Sequence, residues 1–203
     1  MKDYSVSFEI AGPLAIFTRP DSGASFVSYP APTYSALKGM FDCVARWKSA
    51  HIEPVKVELC RPILFQRYAT NYGGPLRKAS QLAGGTSYQL FATVLVDVCY
   101  KVYGVVTEST PAPGPNNHLH ALQELFERRL KQGRLYSTPC LGWSEFTPQY
   151  FGPLRSCTHV REDVDLAISS MLFRVFDSDA SGKYAPQFRH DLRIEKGVLR
   201  YAQ

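Results

Sequence analysis

Hydrophobic and polar positions alternate along some stretches of the chain and recur every three or four residues along others. Val6, Phe8 and Ile10 take every second position of residues 4–10, the period of a half-buried strand. Gly12-Pro13 predicts an interruption, and residues 14–17 resume the apolar run. Residues 18–24 read as a loop. Pro30 and Pro32 then stiffen the approach to Thr33, whose hydroxyl suits a helix N-cap. Ala36, Leu37, Met40, Phe41, Val44 and Trp47 recur at helical spacing. The pattern predicts a helix that runs on to Arg46-Trp47-Lys48, with its cations in the last turn, where they suit the dipole. Val55, Val57 and Leu59 predict a second strand over residues 55–60.

The pattern changes at residues 66–87, QRYATNYGGPLRKASQLAGGTS. This stretch holds Tyr68 and Tyr72, the cations Arg67, Arg77 and Lys78, and no acid. Two readings stay open: a surface loop, or a protruding basic hairpin that tracks a nucleic-acid backbone and offers tyrosines for stacking. Residues 89–106 then alternate through Val94, Val96, Val98, Tyr100 and Val102, a central-strand pattern. A linker with Pro111, Pro113 and Pro115 follows. Leu119, Leu122, Leu125, Phe126 and Leu130 predict a helix over residues 118–132, with a basic end at Arg128, Arg129 and Lys131, stopped by Gly133. Residues 141–151 are aromatic and punctuated by Gly and Pro. Residues 171–176 and 188–201 are strand-like, with a turn over 177–182.

The resulting order is βαββαβ, an α+β class on the ferredoxin-like or RNA-recognition-motif plan. It divides into a core domain of residues 1–155, with a thumb inserted at 66–87, and a C-terminal β extension of residues 156–203. Such a sheet is a common platform for single-stranded RNA, although a fold alone does not give a function.

Composition narrows the partner. The 203 residues are 45% hydrophobic and 20% charged, as in a globular domain, with a net charge of +5. That excess points mildly to an anionic partner. Five scattered cysteines form no CxxC pair, so neither a zinc site nor a disulfide framework is expected. The start, MKDYSVSFEI, lacks the basic-then-apolar order of a signal peptide, and no apolar run approaches a membrane span. A cytoplasmic, non-membrane protein is expected. There is no phosphate-binding glycine loop and no HExxH or GxSxG motif, and no metal or cofactor is expected. His118 and His120 would need a third partner to bind a metal. His51, His159 and His190 are isolated and read as surface or satisfied histidines. Glu162, Asp163 and Asp165 read as solvated surface.

Several spaced segments carry a family likeness: "GPLAIFTRP", "VSYPAPTYSALKG", Trp47-Lys48, "YGG", "FERRLKQGRLYSTPCLGWSEF" and the tail "MLFRVFDSDASGKY…DLRIEKGVLRYA". In this order they resemble the fifth Cas family, the CRISPR Cascade subunits that grip the 5′ handle of guide RNA. The likeness is strongest to the type I-C branch. It implies a modified RNA-recognition fold with a thumb. The implied partners are the crRNA 5′ handle, the backbone and large subunits of the complex and, indirectly, target DNA.

Members of the type I-C branch also cut repeat RNA without metal. The resemblance places a tyrosine before the Trp-Lys pair and a lysine and histidine on the long central strand. Here the tyrosine position falls at Ala45 or Arg46, and the strand DVCYKVYGVV offers Tyr100, Lys101 and Tyr103 but no histidine. Lys101 and Tyr103 share one strand face and Tyr100 takes the other. The reading is therefore of a binding and capping subunit with no catalytic set, fed by a separate ribonuclease. The alternative, an active endoribonuclease, would draw on Lys101, Tyr103 and Arg46, or on His118 or His120 from the linker. The expected RNA-binding residues are Arg19, Lys38, Arg46, Arg61, Arg67, Tyr68, Tyr72, Arg77, Lys78, Lys101, Arg128, Arg129, Gly142 and Trp143. The handle is expected to lie against the sheet and the Leu141-Gly142 segment.

Overall fold

From the N-terminus the elements are β1 (Ser5–Ala15), β2 (Phe26–Val27), α1 (Tyr34–Val44), β3 (Ala50–Leu59), β4 (Phe65–Tyr72) and α2 (Ala79–Ala83). They continue with β5 (Tyr88–Glu108), α3 (His118–Gln132), β6 (Tyr150–Gly152), β7 (Leu166–Phe176), β8 (Tyr184–Glu195) and β9 (Val198–Arg200). The computed structural model describes residues 4–23, 25–72, 78–84, 88–110, 117–176 and 183–201. Among these, the strands form one nine-stranded, largely antiparallel sheet in the order β6-β1-β5-β3-β9-β8-β7, with β2 and β4 also pairing with β5. The class is mixed α and β, with few helices.

The 21-residue β5 is the spine. Its second half lies between β1 and β3, and its first half pairs with β4 from Phe65↔Leu95 to Tyr72↔Tyr88. Residues 65–72 and 88–95 thus pair as two antiparallel strands. The expected turn at 177–182 lies outside the described residues.

Helices α1 and α3 cover one face. α1 packs on β3 and β7, α3 packs on β1, β5 and β3, and the two helices touch. Phe41 of α1 sits edge-on to Phe8 of β1, with ring centroids 4.9 Å apart, and tilted against Phe126 of α3 at 5.6 Å. All three are fully buried, each contributing about 2–3 kcal/mol of apolar burial. Gly104 lets α1 approach β5: a Cβ there would lie 2.8 Å from both Phe41 Cζ and Ile52 Cγ2.

Several boundaries differ from the sequence pattern. β1 runs straight through Gly12-Pro13, because Gly12 makes room for Leu141 instead of breaking the strand: a Cβ would meet Leu141 Cδ1 at 2.6 Å. β3 begins at Ala50, five residues before the predicted start, since a bulge between Pro54 and Lys56 shifts its alternation. Thr33 caps α1 as predicted, accepting from the Ala36 N–H at 3.3 Å. The helix, however, ends at Val44, and Ala45 is already extended. The orphan carbonyls of its last turn are taken by distant chain: Arg129 Nη1 donates to Val44 O at 3.1 Å and the Tyr136 N–H to Cys43 O at 2.7 Å. Arg46, Trp47 and Lys48 therefore lie beyond the helix, and its last turn holds no cation.

The other face of the sheet is crossed by residues 153–165. Arg161 N–H donates to Leu59 O and Gly197 N–H to Val164 O, each at 2.8 Å, which ties this strap to β3 and to the β8–β9 turn.

Candidate nucleic-acid interface

Two polar clusters on opposite sides of the sheet divide the residues singled out by sequence. The first is a groove of about 790 Å³ on the helix side. The outward face of α1 supplies Lys38 and Asp42, paired at 3.7 Å, and the chain after α1 supplies Arg46 and Trp47. β3 contributes His51 and Glu53, the end of β5 contributes Glu108 with Ser109 beyond it, and β7 contributes Arg174 and Phe176.

Glu53 organises the groove floor. Its Oε1 accepts from Arg174 Nη2 at 3.3 Å and Tyr34 Oη at 3.2 Å, and it faces His51 Nε2 at 3.3 Å. On the other side of the ring, His51 Nδ1 lies 2.6 Å from Ser109 Oγ. The bond from His51, reinforced by Tyr34 and Arg174, holds the Glu53 carboxyl below its ordinary value. Burial, then the charge of Glu53, pushes the Tyr34 hydroxyl up. Arg174 is fixed further over the Tyr34 ring at 5.0 Å, and Tyr34 stacks on Phe173 at 4.1 Å. Arg46 is exposed and, among the described residues, makes no hydrogen bond or ion pair. Phe176 is also exposed at the rim. Lys38 and Arg174 are offset by Asp42 and Glu53, and Glu108 also lines the groove, so what it offers a polyanion with unstacked bases is Arg46 beside aromatic edges.

The second cluster lies under the strap. Lys101 of β5 has Glu9 of β1 and Glu58 of β3 as its direct cross-strand neighbours, and its Nζ donates to Thr158 O at 2.6 Å. Tyr103 Oη donates to Glu58 Oε2 at 3.0 Å, while Lys56 pairs with Glu58 Oε1 at 2.6 Å and sits over the Tyr103 ring at 4.1 Å. Burial, then the bond to Glu58, pushes the Tyr103 hydroxyl far above its ordinary value. As the alternation predicts, Tyr100 faces the other way, into the core.

The alternative catalytic set is thus divided. Lys101 and Tyr103 are engaged beneath the strap, and Arg46 opens on the groove. His118 stands at the start of α3 with Nε2 3.8 Å from Glu108, and His120 pairs on the surface with Glu124 at 3.7 Å; neither lines the groove. The sheet face at Glu9, Lys101 and Glu58 is covered by residues 155–161.

The remaining expected residues fall into three groups. Some are exposed cations: Arg61 with Asp97 at 3.7 Å, Arg67 over Phe91 at 5.4 Å, Lys78, and Arg128. Arg19 is forked onto Asp21 at 2.7 and 3.0 Å. Others are built into the framework. Arg129 caps α1, and the Tyr68 ring meets Phe146 edge-on at 5.4 Å. Trp143 stacks on Phe146 at 5.7 Å and meets Phe26 at 5.5 Å. Gly142, at φ +100°, sits where a Cβ would lie 1.6 Å from Ile16 O. Arg77 and the Tyr72 side chain lie outside the described residues. His51, read from the sequence as a surface or satisfied histidine, is bonded through both ring nitrogens, and Arg174 was not singled out there. The only signal for Arg174 is a cation inside the apolar run MLFRVF, and His51 follows the Trp-Lys pair by three residues.

Among the described residues no group of three or more His, Cys, Asp and Glu is placed to hold a metal ion. No helix is long and apolar enough to cross a membrane.

Fold and groove define a mixed α and β chain with a charge-balanced, aromatic-edged cleft in which Arg46 has no ion-pair partner among the described residues. The profile of a family of CRISPR-associated proteins, Cas5, matches residues 5–198, and the chain belongs to that family. It is 33% identical over 149 residues to the CRISPR pre-crRNA endoribonuclease Cas5d of Thermus thermophilus, covering 71% of this chain and 62% of that protein. The chain therefore spans less than two thirds of that relative's length. It is 29% identical over 162 residues to the protein of the same name from Mannheimia succiniciproducens, covering 72% of this chain and 71% of the relative. Among solved structures, a CRISPR-associated protein shares the fold at a TM-score of 0.70 and 17% identity, over 98% of this chain and 92% of the other. A chain of a CRISPR RNA-guided surveillance complex shares it at 0.55 and 18%, over 96% and 91%.

Proposed function

We propose that the chain is an RNA-binding subunit of a Cascade-like surveillance complex that grips and caps the 5′ handle of guide RNA. Family membership supports this reading, and the groove is the observation that carries it: Arg46, directly before Trp47-Lys48, is an uncommitted cation beside Lys38 and Phe176. The helix–strand succession β1-α1-β3-β5-α3-β6, with the sheet order β6-β1-β5-β3, supports a ferredoxin-like core, its fourth strand beside the first and its third beside the second. The β4–β5 hairpin is the thumb, and residues 156–203 are the β extension. Because the strap covers the sheet centre, the handle runs along the groove instead. Partner backbone and large subunits contact the thumb and extension, and target DNA is met through the guide.

The test is end-labelled CRISPR repeat RNA with purified protein in EDTA, read on one native and one denaturing gel. Shifted, intact RNA is the expected result. A chain that neither shifts nor copurifies with RNA, even with partner subunits present, overturns the reading.

A second reading is a metal-independent pre-crRNA endoribonuclease. The names of the two curated relatives favour it, and so does an imidazole, His51, in the groove. A discrete product in the denaturing lane is its signature.

A further inference from the structure

All five cysteines are free thiols, and two of them face each other across strands. The β3–β5 register pairs Leu59 with Tyr100, so the next rung sets Cys60 opposite Cys99. The Cys60 N–H donates to Cys99 O at 2.9 Å and carries the ladder to that rung. Cys60 shares a strand face with Glu58, and Cys99 shares one with Lys101, so both thiols stand on the strap side. There Cys99 Sγ donates to Glu9 Oε1 at 3.5 Å and Cys60 Sγ to Glu58 O at 3.8 Å. Opposite residues joined by a ladder bond lie about 5.5 Å apart at Cα, a separation that a disulfide spans.

We infer that Cys60 and Cys99 are a redox pair, oxidised by peroxide to a disulfide that staples the root of the β4–β5 pair. Residues 61–98 carry β4, α2 and the first part of β5, so this one bond closes a loop around all of them. The reduced pair also touches the anchor of the strap, through Cys99 and Glu9.

The two thiols are not equivalent. The bond from Cys99 outweighs burial and holds the Cys60 thiol below its ordinary value, and the charge of Lys101 acts in the same direction. The bond to Cys60, then burial, pushes the Cys99 thiol up. Cys60 is therefore the nucleophile and Cys99 the resolving thiol. The Cys60 thiolate attacks one oxygen of hydrogen peroxide. The S–O bond forms as the O–O bond breaks, and the departing hydroxide takes up the proton that the thiol released. Cys99 sulfur then attacks the sulfenic acid at Cys60. The S–S bond forms as the S–O bond breaks, and the second hydroxide leaves as water with the Cys99 proton. Two thiols lose two electrons, the peroxide gains them, and two waters are released. Cys60 keeps 7% of its surface and Cys99 4%, so access is limited to an oxidant near the size of water.

The test treats the whole reduced chain with hydrogen peroxide near neutral pH. Remaining thiols are alkylated in denaturant, and tryptic peptides are mapped by mass before and after dithiothreitol. The expected result is one linked pair, residues 57–67 with residues 79–101, lighter by two hydrogens than the free peptides together. The melting temperature should rise by about 5 °C or more and fall back on reduction. Cys60→Ser and Cys99→Ser should each abolish the linked pair and the rise, and Cys157→Ser should keep both. Circular dichroism follows folding, and the wild-type peptide map stands by itself where a buried serine unfolds the chain. Cys60 and Cys99 both recovered alkylated, or a bridge formed instead between Cys43 and Cys140 or onto Cys157, overturns the inference. A linked pair that leaves the melting temperature unchanged or lower overturns the staple.

Discussion

Arg155 donates to Glu9 from its backbone N–H and from its side chain, each at 2.8 Å, across 146 residues of sequence. Glu9 is fully buried in β1, and Thr158 Oγ1 completes its shell at 2.8 Å. Burial alone would raise the Glu9 carboxyl; the bonds from Arg155 and Thr158 outweigh it and hold the carboxyl below its ordinary value. This one carboxylate anchors the strap that covers the sheet.

Removing one partner of a dry ion pair costs about 3–5 kcal/mol. The Arg155 side chain is 38% exposed, so solvent takes part of that, and about 1–3 kcal/mol is expected for Arg155→Ala. The pH dependence has a definite sign. A depressed carboxylate contributes fully above its unfolded value of about 4.3, and the contribution is lost as pH falls through the lower folded value. Glu53 acts in the same direction. Urea midpoints measured from about pH 7 to about pH 3 should fall on the acid side, and Glu9→Gln should flatten that fall. An unchanged acid limb in Glu9→Gln would remove the anchor from the account.

Two glycines should respond in opposite ways to alanine. Gly142 has positive φ and a backbone oxygen, Ile16 O, where its Cβ would go; neither can yield cheaply. Gly142→Ala is expected to cost about 3 kcal/mol or more. Gly39 lies in α1 with nothing within 4 Å of an added Cβ. There, Gly39→Ala should gain about 0.5–1 kcal/mol through reduced chain entropy and better helix propensity. Thermal melts of the two single variants decide the matter; equal effects would mean that the contact of Gly142 with Ile16 O does not restrict the side chain there.

Local cues made α3 legible, because its stripe, its basic end and the left-handed Gly133 all agree on residues 118–132. The start of α1 was equally clear from Thr33. Its end was not, because the groups that take its last carbonyls come from Arg129 and Tyr136, far along the chain. Glu9 reads in sequence as an ordinary outward residue of an alternating strand. Only the strap, more than a hundred residues later, buries it. The groove shows the same division. Lys38 and Arg46 were accessible to charge and likeness, but His51 and Arg174 become part of the site only when β3 and β7 meet beside α1.

Arg128 and Arg129, adjacent in sequence, should separate cleanly. Arg129 donates to the end of α1 and lies over the Tyr136 ring at 4.0 Å. Its replacement by alanine should cost about 1–2 kcal/mol by unbonding a helix-terminal carbonyl and removing the guanidinium from the ring. Arg128 is exposed, and Arg128→Ala should leave stability within about 0.5 kcal/mol. Urea denaturation of both variants checks this, and a loss of RNA affinity confined to Arg128→Ala would place α3 in the interface.

Arg46 gives the sharpest prediction for binding. It has no partner to lose among the described residues, so Arg46→Ala should leave the melting temperature close to that of the wild type. Against RNA it should weaken binding about five-fold, the equivalent of one charged contact of about 1 kcal/mol. The diagnostic is salt. Each phosphate contact to a single strand contributes about 0.7 to the slope of log K against log salt, so Arg46→Ala should flatten that slope by about this amount, and the Arg46→Ala/Lys38→Ala double variant by about twice as much. Arg174→Ala would confuse the measurement, because it also releases Glu53 and Tyr34. A slope unchanged in the double variant would mean that phosphate does not enter the groove, and the binding surface would then have to be sought on the β4–β5 hairpin, where Arg67 and Lys78 stand exposed.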